Sequence, residues 1–137
     1  MTGAATTTLS QADYESLAAF RYELRQFLQF SEQAAKALGL TPQQHQALLA
    51  IRAAPGQTMG IGDLGEQLFI QPHSASELVD RLVALDLLSK QSSEQDRRRS
   101  VLALTSSATA ILTQMSTVHR AEVIRIRETL TAILDRI

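Results

Sequence analysis

The stretch IGDLGEQLFIQPHSASELVDRLVALDLL, Ile61 to Leu88, decides the fold. Its opening residues put Leu64 and Leu68 on one face of a short helix. Gly65 lies between them, and a glycine inside a helix costs about 1 kcal/mol relative to alanine unless a close neighbour requires it. Phe69-Ile70-Gln71 then breaks the pattern. Pro72 opens a second helix at its first position, where a missing N–H costs nothing. On that helix Ala75, Leu78, Val79, Leu82 and Leu85 recur at helical spacing. His73, Ser76, Glu77 and Asp80 fall on the opposite side, flanked by Ser74 and Arg81. Two short helices joined by a tight turn, the second with a free polar face, form a helix-turn-helix arrangement.

Downstream, Ser89-Lys90-Gln91 reads as a short polar strand, Ser92 to Asp96 as a turn, and Arg97-Arg98-Arg99 as a basic run. Val101 to Leu104 resumes a β-leaning stretch, so the whole predicts a hairpin, or wing. Thr105 is placed to cap a last helix carrying Ile111, Met115 and Val118, then Ile126, Leu130, Ile133, Leu134 and Ile137. A helix apolar to its final residue has no partner left inside so small a domain, and the expectation is burial against a second copy. Upstream, Thr41 caps, Pro42 takes the first helical position and Gln44 closes a capping box. Ala47, Leu48 and Ile51 form the inner face of that helix, and Ala54-Pro55-Gly56 stops it. Ser10 with Asp13 starts a long helix whose apolar stripe runs from Leu17 through Phe20, Leu24, Phe27 and Leu28 to Leu38. Gly39 ends it where φ > 0 is wanted.

With 137 residues, the chain has room for one core and little more. Hydrophobic residues make up 45% of it, too many for a disordered chain. The formal net charge is -1, so contact with nucleic acid requires a local basic patch. There is no cysteine, which removes disulfides, thiolate metal sites and thiol redox sensing, and suits a reducing cytosol. The N-terminal residues lack the basic and apolar regions of a secretory signal. No apolar run approaches the roughly 20 residues that span a bilayer. His45, His73 and His119 are scattered, with no His-x-x-x-His pair, so no metal ligand set is expected. There is no Gly-rich phosphate loop, nucleophile elbow or helical His-Glu-x-x-His, so no catalytic residue and no cofactor are expected.

Three pieces, in order over residues 40 to 108, resemble the MarR (multiple antibiotic resistance regulator) family. They are Leu40-Thr41-Pro42-Gln43-Gln44, then Ile61-Gly62-Asp63-Leu64 through Leu78-Val79-Asp80-Arg81-Leu82, and then Asp96-Arg97-Arg98 closing on Leu104-Thr105. The resemblance implies a mainly α, winged helix-turn-helix domain with a small two-stranded β-wing. It implies one domain over 1–137, with dimerisation helices at about 10–39 and 106–137 and a DNA-binding lobe at 41–105. It further implies a cytoplasmic bacterial homodimer, not an enzyme, binding a pseudo-palindromic double-stranded DNA operator. Its recognition helices would lie in successive major grooves with wing tips at the minor groove. A repressor released by a small aromatic or phenolic effector is the implied mode of action, with no membrane involved. This chain departs from the pattern at three positions. Asp86 stands where a turn glycine is usual, Ala108 where a glycine commonly follows Leu-Thr, and Glu77 where a polar or basic residue is usual.

The expected DNA-binding residues are Gln71, His73, Ser74, Ser76, Glu77 and Arg81 on the recognition helix, with Lys90, Asp96, Arg97, Arg98 and Arg99 on the wing. Arginine gains from the focused negative potential of a narrow minor groove. Asp96 is expected to orient Arg98, and Asp80 to pair with a nearby arginine rather than face phosphate. Ser74 has a second reading, because Ser-x-x-Glu to Glu77 is also a capping box. Glu77 would accept a hydrogen bond from cytosine N4 or repel phosphate. Tyr14, Phe20, Tyr22, Arg52 and Met115 are candidates for lining an effector pocket. The alternative function is a winged-helix module that binds a protein partner or small ligand without DNA.

Overall fold

The computed structural model describes residues 8–92 and 100–137. The elements follow the sequence periods: α1 (Gln11–Ala37), α2 (Pro42–Ala53), a 3-10 turn (Pro55–Gln57), β1 (Met59–Gly60), α3 (Ile61–Leu68), α4 (Pro72–Ala84), β2 (Leu88–Ser92), β3 (Ser100–Leu104) and α5 (Ser106–Asp135). The starts of α1 and α2 are set by side chains that satisfy the first free N–H groups. At α1 the Ser10 N–H donates to Asp13 Oδ2 (2.9 Å) and the Asp13 N–H to Ser10 Oγ (3.2 Å). At α2 the Gln44 N–H donates to Thr41 Oγ1 (3.1 Å) and the Thr41 N–H to Gln44 Oε1 (3.0 Å), the expected capping box.

Three helix ends share one geometry, a residue in the left-handed region whose successor's N–H reaches back five residues. After α1 it is Gly39, φ 80°, with Leu40 N–H donating to Ala35 O (2.9 Å). After α3 it is Phe69, φ 55°, with Ile70 N–H donating to Gly65 O (3.0 Å). After α4 it is Asp86, φ 58°, with Leu87 N–H donating to Leu82 O (2.9 Å). The position where the resemblance implies a turn glycine is thus filled by an aspartate that takes up the left-handed turn, which a short polar side chain tolerates better than most.

The wing hairpin forms, with β2 antiparallel to β3 in the register Leu88↔Leu104 through Ser92↔Ser100. The sheet differs from the expected two strands: Met59–Gly60 pairs antiparallel with β3, giving the order β1-β3-β2. Two residues are too few to show alternation, so the sequence pattern did not reveal β1. The connection 93–99, with the expected residues Asp96, Arg97, Arg98 and Arg99 and the Asp96–Arg98 pair, lies outside the described residues.

Contacts divide the chain into two compact units, residues 32–117 and residues 1–31 with 118–137. The 32–117 unit has a core of Leu48, Ile51, Leu64, Val79, Leu82, Leu102 and Met115, all under 2% exposed. Burying each large aliphatic side chain contributes about 1.5–3 kcal/mol, so this is the main source of the unit's stability. Leu85, which continues the α4 spacing, is exposed because α4 stops at Ala84. Thr105 ties the start of α5 to the end of α4. Its hydroxyl donates to Asp86 O (2.7 Å) and accepts from the Ala108 N–H (3.1 Å), while its own N–H donates to Leu87 O (3.2 Å). Ala108 is fully buried there.

In the other unit Ser16, Ile126 and Ile133 are buried. His119 meets Phe27 and Phe30 edge-on at 6.0 and 5.4 Å and shares a 2.9 Å hydrogen bond with Ser31. Glu122 and Arg125 are joined at 2.6 Å. Their hydrogen bond holds the carboxyl below, and the guanidinium above, its ordinary range. Leu17, Leu24, Leu28, Val123, Ile124 and Leu134 remain exposed in the single chain.

Candidate nucleic-acid interface

The geometry of α4 follows from the division of its residues. Ala75, Val79 and Leu82 are fully buried and Leu78 nearly so, while Gln71, His73, Ser74, Ser76, Glu77, Asp80 and Arg81 are all exposed. The apolar stripe seats the helix on the core and leaves one continuous polar face outward. Gly65 lies where α3 faces the start of α4. A Cβ on it would stand 3.4 Å from Ala75 Cβ and 3.4 Å from Ile70 O. A methyl group therefore just fits at Gly65, and a larger side chain there would press on Ala75 and on the α3–α4 spacing.

Several individual assignments change. Asp80 pairs with a lysine, not an arginine: Lys90 Nζ stands 3.2 Å from Asp80 Oδ1. The reason is register, since Lys90 lies opposite Leu102 and shares the sheet face of Leu88 and Leu104. From there its long side chain reaches α4. Ser74 does not cap α4, because the helix begins at Pro72 and Gln71 holds the N-cap position without a side-chain bond. His73 and Glu77, one turn apart, meet at 3.1 Å on the exposed face. The carboxylate therefore has a neighbour on its own helix.

Two grooves flank α4. One, of about 560 Å³, runs between the first turn of α2 (Thr41 to Gln44) and Ser74, Glu77, Leu78 and Arg81. The other, of about 610 Å³, lies between α3 and the start of α4 and is lined by Ile61, Gly62, Gly65, Glu66, Phe69, Ile70, Pro72 and Ser76. Neither is lined by any expected effector residue. Met115 is 1% exposed in the core of its unit, where its flexible thioether fills space among aliphatic neighbours. It belongs to packing and not to an open pocket. Arg52 is exposed on α2. In the other unit Tyr14 and Tyr22 are exposed, Phe20 is half-buried, and the Tyr22 hydroxyl accepts from Gln26 Nε2 (3.0 Å).

Phe69 was not among the expected site residues, yet it is 96% exposed between the two helices. The signal was present: Phe69, Ile70 and Gln71 are all that separate the last residue of α3 from the Pro72 start of α4, so one of them had to reverse the chain.

A buried-face recognition helix behind a tight turn, followed by an antiparallel hairpin, defines a winged helix-turn-helix domain. Residues 38–99, which hold α2 through β2 but not β3, match the model of the MarR family. Over this lobe, less than half of its length, the chain is similar to that family. No curated protein sequence matches the chain.

Solved structures agree on the fold. AbsC, a MarR family transcriptional regulator from Streptomyces coelicolor, is 21% identical with a TM-score of 0.72, covering 88% of this chain and 81% of that one. The multiple antibiotic-resistance repressor of Listeria monocytogenes is 23% identical at a TM-score of 0.71, covering 96% and 99%. A mutant of S. aureus MepR bound to an oligodeoxyribonucleotide is 21% identical at 0.68, covering 89% and 96%. Among the described residues no helix is long and apolar enough to cross a membrane, and no three histidines or carboxylates cluster as metal ligands.

Proposed function

We propose that the chain is a transcriptional repressor that binds a pseudo-palindromic operator as a homodimer and is released by a small-molecule effector. The observation that carries this reading is α4 itself. Its inner face is buried by Ala75, Leu78, Val79 and Leu82, and its outer face offers Gln71, His73, Ser74, Ser76, Glu77 and Arg81 to a partner. Amide, imidazole and hydroxyl groups at the start of such a helix suit base edges in the major groove, and the Arg81 guanidinium in its last turn suits a phosphate. Glu77 accepts from a cytosine amino group on this reading, with His73 holding its carboxylate in place. Arg97, Arg98 and Arg99 supply the local positive charge that a chain of net charge -1 otherwise lacks.

The dimer is supported by apolar surface that one copy leaves exposed, Leu17, Leu24 and Leu28 on α1 and Val123, Ile124 and Leu134 on α5. A two-fold dimer places two α4 helices on half-sites related by the same symmetry. An effector acts on this assembly only through different affinities for its DNA-competent and DNA-incompetent shapes.

The test is fluorescence-anisotropy binding to DNA fragments from around the chain's own gene, repeated across salt concentrations. Tight binding to one fragment that weakens steeply with salt is expected. Equal binding to a random fragment at every salt would remove the operator reading and favour a protein-binding module.

A further inference from the structure

Phe69 combines two features that each oppose folding. It holds a left-handed backbone conformation, φ 55° and ψ 42°, and its side chain is 96% exposed. The other two helix ends of the same geometry use residues suited to it, Gly39 and Asp86. A phenyl side chain at such a position gains nothing from burial in the chain, and the strain is unrelieved. Glycine would serve the turn better. The ring's place in the fold gives it a use: Phe69, Pro72 and Ser76 line one groove, so it stands beside the start of α4, on the side that carries Ser76.

We propose that Phe69 is an apolar operator contact, its ring packing on the 5-methyl group of a thymine in the major groove. The inference rests on the reading of α4 as a DNA-binding helix. A recognition helix meets base edges with its N-terminal residues, and Phe69 lies three residues before Pro72, the first of them. Within that groove the thymine methyl is the one apolar group a base pair presents, and phenyl groups are among its known partners. The contact adds sequence preference for an A·T pair without a hydrogen bond and without touching phosphate. It gives the exposed ring a buried setting only in the complex, which accounts for strain carried by the free protein.

The experiment compares the full-length chain with Phe69→Gly and Phe69→Tyr on the operator fragment by fluorescence anisotropy across salt. Phe69→Gly keeps the backbone conformation, so it is expected to melt no lower than the parent while binding about tenfold more weakly. The slope of affinity against salt is expected to stay unchanged, because no phosphate contact is lost. Phe69→Tyr keeps the ring and is expected to bind within about twofold of the parent. A scan replacing single thymines by deoxyuracil is expected to cost the parent about threefold at one symmetric pair of positions, and Phe69→Gly nothing there. Equal affinity of parent and Phe69→Gly overturns the proposal and leaves the operator reading standing. So does a reduced salt slope, or a deoxyuracil scan in which both proteins respond alike. If Phe69→Gly does not fold, Phe69→Asn, which also tolerates this backbone, answers the same question. A parent that shows no fragment preference at any salt removes the operator reading itself, and this proposal with it.

Discussion

Gly65 sits where α3 approaches α4, and replacing it in two steps measures how closely that approach sets the DNA-facing helix. The first added carbon would meet Ala75 Cβ and Ile70 O at 3.4 Å, an ordinary contact distance. Gly65→Ala therefore recovers about 1 kcal/mol of helix propensity with little steric loss, and is expected to be neutral or stabilising. Gly65→Val adds two methyl groups against the same atoms, and overpacking a close-packed core costs about 1–3 kcal/mol. Valine recovers only about 0.4 kcal/mol of propensity relative to glycine, so the net expectation is a loss of about 2 kcal/mol. For a chain of this size that corresponds to a melting temperature lower by about 8 °C. The strain is relieved by moving α4 outward, so operator affinity falls beyond what the unfolded fraction explains. Urea denaturation at fixed protein concentration, followed by anisotropy on the folded variants, separates the two effects. If Gly65→Val proved as stable as Gly65→Ala, the claim that this site admits a methyl group but not a branched side chain would be wrong.

Thr41→Ala removes the side-chain half of the α2 capping box and is expected to cost about 1 kcal/mol in thermal denaturation, with Gln44→Ala costing less. Lys90→Ala breaks an exposed pair with Asp80 and should change stability by less than about 1 kcal/mol. If Lys90 also reaches phosphate, the variant lowers the salt slope of DNA binding by about 1, whereas an unchanged slope takes Lys90 off the interface. Arg98→Ala is expected to weaken operator binding about tenfold or more with the dimer intact, and unchanged affinity in a gel-shift titration would exclude the wing arginine. Removing residues from Ile126 onward deletes Leu134 and Ile137, exposed in one copy, and should leave a monomer or an insoluble chain. A soluble dimer in sedimentation equilibrium would contradict the assignment of that face.

The helices were legible in the sequence because their signals are local. Ser10/Asp13, Thr41/Gln44 and Pro72 mark starts that a few atoms decide, and the apolar spacing of α2 and α4 matches the residues that are buried, Leu85 excepted. What the sequence hid depends on neighbours distant along the chain. β1 exists because Met59 and Gly60 lie beside Leu102 and Val101, a pairing without periodicity of its own. Lys90 reaches Asp80 because the hairpin register turns it to the helix side. The ends of α3 and α4 lacked the glycine that advertises a left-handed residue; the short link before Pro72 required a reversal there, but only the backbone shows that Phe69, and after α4 Asp86, makes it. Met115 showed the opposite difficulty: one apolar residue on a helix serves core or pocket equally well until its neighbours are known.

The central claim is that two copies of α4 read one two-fold-related site. Hydroxyl-radical footprinting of the chain on the fragment it prefers tests this most directly. Two protected half-sites of matching pattern, their centres about one helical turn or a whole number of turns apart, are the expected result. Protection of a single half-site, or protection without symmetry, would contradict the dimeric operator account.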